Sequence, residues 1–273
     1  MPTDRRWFSR VSVFAALAAL AGALLLLPPA GETQSTLGEV KKRDKMIVGV
    51  KTDFPPFGSV DASGKNIGFD IDVAYELGKA MLGNPGKVEL VSVTSGNRIP
   101  YLQSGKIDII VATVTINDER KKVVEFSEPY FLSGALILVP KASPINDVKD
   151  LNGKKAAIIQ GAITDADLAE LAPQATRLKY GKVTEAVLAV KAGHADAFVQ
   201  DDILILKLAK ENPDMRAAGK PFYPRGYGIA VRKGDVEFIN WVNTQRKRMR
   251  ADDTYERIWK KHLAEFEASL VKP

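Results

Sequence analysis

Ala112 to Arg120 reads A-T-V-T-I-N-D-E-R, which puts two hydroxyls and a guanidinium within reach of one another. Thr113 and Thr115 follow the apolar run Ile107-Asp108-Ile109-Ile110-Val111, which has the length and β-branched content of a buried strand. Their equal parity sends both side chains out on one face while the backbone stays extended. Asn117-Asp118-Glu119-Arg120 then has the form of a helix start, with Asn117 as N-cap and carboxylates in the first turn. Hydroxyls, strand-end N–H groups and Arg120 would converge on one spot. That donor set suits a carboxylate, which accepts from a planar fork and from neutral donors at once. The same residues could also form a surface loop carrying a solvated arginine, and this stretch alone leaves both readings open.

The elements that must position these residues follow from the rest of the sequence. Its 273 residues allow one or two domains, and 45% apolar content is ordinary for a protein with a sizeable core. Residues 1–30 stand apart from that core. Arg5, Arg6 and Arg10 precede the apolar run Val11 to Leu27, which ends at Pro28-Pro29-Ala30, the pattern of a secretory signal peptide. The run is at the short edge for a membrane span, so an uncleaved anchor stands as the alternative. With no cysteine, neither a lipid-bearing Cys nor a disulfide is available, and a periplasmic or extracytoplasmic protein that is not a lipoprotein is expected. The formal charge of +6 is scattered. The cluster Arg246-Lys247-Arg248 lacks interleaved aromatics, so no nucleic-acid partner is expected.

After a polar leader (31–44), Met46 to Lys51 reads as a strand that Thr52 to Phe57 must leave, because Pro55-Pro56 cannot pair in a ladder. Phe54, an aromatic beside that exit, is either core or pocket lining. Gly68 to Met81 carries Val73, Leu77, Ala80 and Met81 at helical spacing, and its acids Asp70 and Asp72 fit a helix start better than a catalytic pair. Farther on, a strand at Ala156–Ile159, a helix at Asp165–Leu171, a helix at Val183–Lys191, a strand at Asp196–Val199 and a helix at Ile203–Ala209 alternate. That order implies parallel sheets built from βαβ units. His194 falls in a turn and His262 in a terminal helix. No metal-ligand spacing, phosphate-binding glycine loop or Ser-His-Asp set emerges, so no catalytic residue, metal or cofactor is expected.

The motif G-F-D-I-D-V-x-x-x-L-G-x-x-M (Gly68 to Met81) resembles the signature of the family 3 extracellular solute-binding proteins, receptors of polar amino-acid ABC transporters. The likeness continues through N-R-I-P-Y-L-Q-S-G-K-I-D, T-x-T-x-x-x-x-R, F-S-E-P-Y, L-N-G-K-K-A-A-I-I-Q-G, A-G-H-A-D-A-F-V-Q-D-D and Y-G-I-A-V-R-K-G, over about residues 45 to 265. The resemblance implies an α/β, two-lobe periplasmic-binding-protein fold of type II. Each lobe would be a βαβ-built sheet flanked by helices, joined by two crossing hinge segments near 132–137 and 224–228. Residues 45–134 plus 228–273 would make lobe 1, and 135–227 lobe 2. The partners implied are a small-molecule amino acid and the membrane permease of an ABC transporter, with the protein itself a monomer.

Carried over position by position, the resemblance makes Arg120 the α-carboxylate clamp, helped by Thr115 and by backbone N–H groups around Ile163 and Thr164. Thr113 and Asp201 would meet the α-ammonium and Phe54 would stack along the ligand, although Asp201 could instead cap a helix. Arg98, with Ser95 beside it, matches the arginine with which acidic-amino-acid receptors hold the second carboxylate of their ligand. Lys51 stands where many relatives carry Asp, and with Arg98 it would attract an anionic side chain. Lys182 is a further candidate from lobe 2, and Arg98 could instead pair with Asp53. Glutamate or aspartate is therefore the expected ligand. The alternatives are glutamine or asparagine, and a cyclohexadienyl or arogenate dehydratase-like enzyme on the same fold.

Overall fold

The computed structural model describes residues 35–269, so the expected signal segment (1–30) lies outside the described residues. Among the described residues no helix is long and apolar enough to cross a membrane. The protein runs through helix α1 (Thr36–Arg43), strands β1 (Met46–Val50), β2 (Asp53–Phe54), β3 (Gly58–Val60) and β4 (Asn66–Ile67), and helix α2 (Phe69–Leu82). Next come β5 (Val88–Ser92), α3 (Arg98–Gln103), β6 (Ile109–Thr115), the short α4 (Asp118–Lys121), β7 (Val124–Phe126) and β8 (Phe131–Pro140). The second half contributes β9 (Lys155–Ile159), α5 (Thr164–Leu171), β10 (Thr176–Tyr180), α6 (Val183–Lys191), β11 (Ala197–Asp201) and α7 (Asp202–Glu211). The long β12 (Met215–Arg232) then leads to α8 (Val236–Ala251) and α9 (Thr254–His262).

The main sheet has the order β10-β9-β11-β8-β12-β6-β1-β5, with β7 also on β12. At one end β1 pairs parallel with β5 and β6, and at the other β9 pairs parallel with β10 and β11. Between these βαβ halves run β8 and β12, antiparallel to each other and to their outer neighbours. This is the two-lobe α/β periplasmic-binding-protein architecture. The expected crossings fall inside these two strands, where Leu132 pairs with Gly226 and Ser133 with Arg225. The register of β12 slips between Ala218 and Phe222 and again before Arg225, the irregularity its prolines and glycines impose.

Alternation along β6 sorts its side chains. Ile109 and Val111 join the large core that includes Val48, Phe69, Phe198 and Phe238, whereas Ile110, Ala112 and Val114 join Val93, Leu102 and Ala230 on the other face. Residues 36–43, expected as part of a polar leader, instead form α1, because Leu37 and Val40 lie one helical turn apart and both are buried.

Asp202 fastens the second half to the crossing strands. Buried at the start of α7, it accepts from Ser133 Oγ at 2.6 Å and from the Gly134 N–H at 3.0 Å. Asp202→Ala should destabilise the fold by about 2–3 kcal/mol, since both donors on β8 lose their acceptor in a site without water access. Chemical denaturation would register this as a lower midpoint at unchanged m-value.

Candidate functional site

The parallel strands of the two halves end toward one another, the arrangement in which open α/β sheets bind ligands outside their carboxyl ends. Lys51 follows β1, Ser95 and Arg98 follow β5, and Thr113 and Thr115 end β6. From the other half Ala162 and Ile163 follow β9, while Gln200 and Asp201 end β11. Together these nine residues line a narrow cleft. Of the ten residues expected from sequence, Phe54, Arg120 and Thr164 lie outside that lining.

The floor of the cleft is built on a strained residue. Thr113 has φ +47, a left-handed conformation that a β-branched residue adopts only when its surroundings impose it. Its N–H meets Asp70 Oδ2 at 3.0 Å and the Tyr130 hydroxyl at 3.2 Å, and that hydroxyl donates to Asp70 Oδ1 at 2.9 Å. Asp70 is fully buried, which pushes its carboxyl up to about 7. In a regular strand successive carbonyls point to opposite sides. The turn at Thr113 breaks that alternation and brings the carbonyls of Ala112 and Thr113 onto one Arg98 nitrogen, Nη1.

Arg98, only 2% exposed, therefore grips the floor by its backbone carbonyls. Its Nε has no hydrogen-bond partner among the described residues. Burial and the neighbouring Arg120 lower its proton affinity to about 9. Asp53 is not its partner, because Asp53 Oδ2 accepts instead from the Val183 N–H at 3.1 Å. Beside Arg98, Lys51 donates from Nζ to Ser95 Oγ at 2.8 Å and stands 4.2 Å over the Phe54 ring. Burial and Arg98 lower Lys51 to about 7, against the pull of Asp53 and Asp201. Phe54 is fully buried among Phe57 and its neighbours and meets the cleft through Lys51.

Arg120 closes the side of the cleft. Asn117 caps α4 as the sequence suggests, its Oδ1 accepting from Arg120 N at 2.8 Å. The guanidinium reaches Thr115 O at 2.7 Å and, across the cleft, Gly161 O at 3.1 Å. Among the described residues, these two backbone contacts engage its five N–H donors. Gly161 (φ +79) touches the opposite wall so closely that a Cβ there would lie 2.7 Å from Gly96 Cα. Behind it Ile163 stands at the N-cap of α5, where its apolar side group offers no cap bond, and Thr164 Oγ1 is buried with no partner among the described residues. Arg120 and the first amides of α5 thus make one electropositive corner.

Asp201 supplies the negative corner. It occupies the N-cap position of α7, but its carboxylate makes no cap bond there; the Tyr227 hydroxyl donates to its Oδ2 instead. Tyr227 is held by Phe57 and Phe131, at ring distances of 5.6 Å each. Burial raises the Asp201 carboxyl to about 6, opposed by the Tyr227 hydroxyl and Lys51.

Gln200 and Ala162 are lining residues that the sequence reading does not reach. Gln200 is buried in the wall and its Oε1 accepts from the Asp201 N–H at 3.0 Å, which leaves its amide N–H groups as donors. A polar residue ending an apolar strand, directly before Asp201, is the available signal. Lys182 is exposed and lies outside the lining. His194 is exposed, and His262 pairs with Asp72 at 2.7 Å away from the cleft residues.

Comparison with known proteins finds amino-acid-binding relatives over most of the chain. ABC transporter glutamine-binding protein GlnH of Bacillus subtilis (strain 168) is 42% identical over 234 residues, covering 85% of this protein and 86% of the relative. The glutamine-binding protein of Geobacillus stearothermophilus is 43% identical over 201 residues, 73% of this protein and 77% of the relative. Among solved structures, the solute receptor for L-cysteine of Neisseria gonorrhoeae matches with a TM-score of 0.83 at 36% identity, covering 88% of this protein and 98% of that one. Residues 46–265 match the family model of bacterial extracellular solute-binding proteins, family 3, and the chain belongs to that family.

Proposed function

We propose that this exported protein captures a free L-amino acid between its halves and delivers it to the permease of an ABC transporter, with glutamine and glutamate as its ligands. The observation that carries the ligand choice is the buried donor wall formed by Lys51 Nζ, its partner Ser95 Oγ and Arg98. A carbonyl oxygen on the ligand's side chain satisfies such a wall, whereas a guanidinium or ammonium would meet like charge. The expectation of glutamate or aspartate rests on these same cations. The two glutamine-binding relatives bring the amide to the fore, and the wall suits either. In this reading the α-carboxylate meets Arg120 and the amides around Ile163 and Thr164, and the ammonium meets Asp201 and Thr113. Closure bends β8 and β12 near residues 132–137 and 224–228, beside the register slips of β12.

Lys51 gives the amide and the acid different pH dependences. Its ammonium loses its proton near pH 7, and a second carboxylate on the ligand favours the protonated form. Acidic-ligand binding therefore takes up a proton, and its affinity rises as pH falls from about 8.5 to below 7. Glutamine, with its neutral amide, lacks this linkage. The ratio of glutamate to glutamine affinity should thus rise by about tenfold over that window, and effects shared by both ligands, such as protonation of Asp201, cancel in it. Calorimetry with the twenty amino acids, repeated at two pH values, tests both statements. A preference for arginine or lysine, or a ratio independent of pH, would overturn this reading of the donor wall.

A further inference from the structure

We infer that Asp53 is the closing latch of the cleft, a residue of one half that caps helix α6 of the other. The start of α6 poses a problem its own sequence leaves unsolved. Its N-cap is Lys182, whose ammonium carries no lone pair and accepts no hydrogen bond. Glu185 accepts from the N–H groups of Gly181 and Lys182, at 3.1 and 3.2 Å. The next amide, that of Val183, is left to another acceptor. That acceptor is Asp53 Oδ2 at 3.1 Å, 130 residues earlier in the sequence.

The two partners belong to opposite walls. Asp53 begins β2, two residues after Lys51 and three after the end of β1. Helix α6 packs on β9, β10 and β11 of the other parallel half. The bond spans the two walls, as does the contact of Gly161 with Gly96, and parting the walls breaks both. Opening exposes an amide that Lys182 cannot cap, so part of the helix's stability is drawn into the closed state. Asp53 lies outside the cleft lining, and as a positioning residue it shifts the open–closed equilibrium for every ligand alike.

This inference rests on the proposed capture of amino acids, and the test separates the two. Parent, Asp53→Ala and Asp53→Asn would be titrated with glutamine and with glutamate, and hydrogen exchange followed at the Val183 amide. Asparagine caps as well as aspartate but carries no charge. Loss of the cap should weaken glutamine about fivefold, with faster exchange at Val183, while glutamate also feels the loss of the charge that Asp53 lends Lys51. Asp53→Asn should restore both readouts. Parent-like glutamine affinity in Asp53→Ala, or a loss of glutamine affinity that Asn leaves unrepaired, would overturn the latch. Should the parent bind neither ligand, the proposed function fails while Val183 still decides the latch. Exchange accelerated by Ala and restored by Asn supports it, and unchanged exchange removes it.

Discussion

Arg120→Ala is expected to weaken every amino acid by about 3 kcal/mol, a hundredfold or more in Kd, whatever its side chain. Arg120 stands between Thr115 O and Gly161 O, next to the start of α5. Without it an α-carboxylate would enter a closed cleft lacking a charged, forked partner, and the amides of α5 alone replace little of a bidentate pair. Because the group proposed for it is common to all amino acids, the loss should be uniform across glutamine, glutamate and asparagine. Calorimetry on the variant reads this directly. A loss confined to acidic ligands would place Arg120 at the far end of the ligand instead.

Asp201→Asn should be nearly as damaging. It preserves shape and the acceptor for the Tyr227 hydroxyl but removes the one charge among the lining residues that suits an ammonium. The charge-assisted bond would be dry in the closed cleft, so its loss should cost about 2 kcal/mol, some thirtyfold in Kd. With saturating ligand the variant should also remain more open, since a ligand drives closure only by its difference in affinity for the two states. Its pH profile adds a second readout. Asp201 is raised to about 6 by burial, so below that pH the parent carries a neutral carboxyl there and should bind every ligand more weakly. Asp201→Asn should lack that decline. Small-angle scattering and affinity measured between pH 5 and 8 test both parts; full compaction with parental affinity would leave Asp201 without a ligand role.

What the sequence makes legible is local. The apolar run of β6 and the Asn117 cap are visible from neighbouring residues, whereas the extended backbone expected through Thr113 gives way to a left-handed turn. Helix α2 is legible from its spacing, and Asp70 reads as an acid with a structural contact. Its task is hidden, however, because it holds Thr113 from 43 residues away and so fixes a backbone conformation no propensity foretells. For the same reason Arg98 is legible as a cation near the site but not as the clasp on Ala112 and Thr113.

Strand β12 shows the opposite difficulty. Gly219, Pro221, Pro224, Gly226 and Gly228 give it the composition of a loop, and only pairing with β8 and β6 on its two sides makes it a strand. Tertiary context outweighs β-propensity there. Gln200 stays hidden when the strand is ended at Val199, because β11 continues through Gln200 to Asp201. Asp53 invites pairing with Arg98 on charge alone, and its actual bond to Val183 depends on how the two halves meet.

The most direct test of the account is the crystal structure of the protein with L-glutamine. The account predicts the α-carboxylate on Arg120 and the amides around Ile163 and Thr164, and the ammonium on Asp201. The carbonyl oxygen of the ligand's amide should lie within hydrogen-bond distance of Lys51 Nζ or Ser95 Oγ. A glutamine turned end for end, with its amide at Arg120 and its α-groups against Lys51, would contradict it, as would a ligand seated outside the cleft.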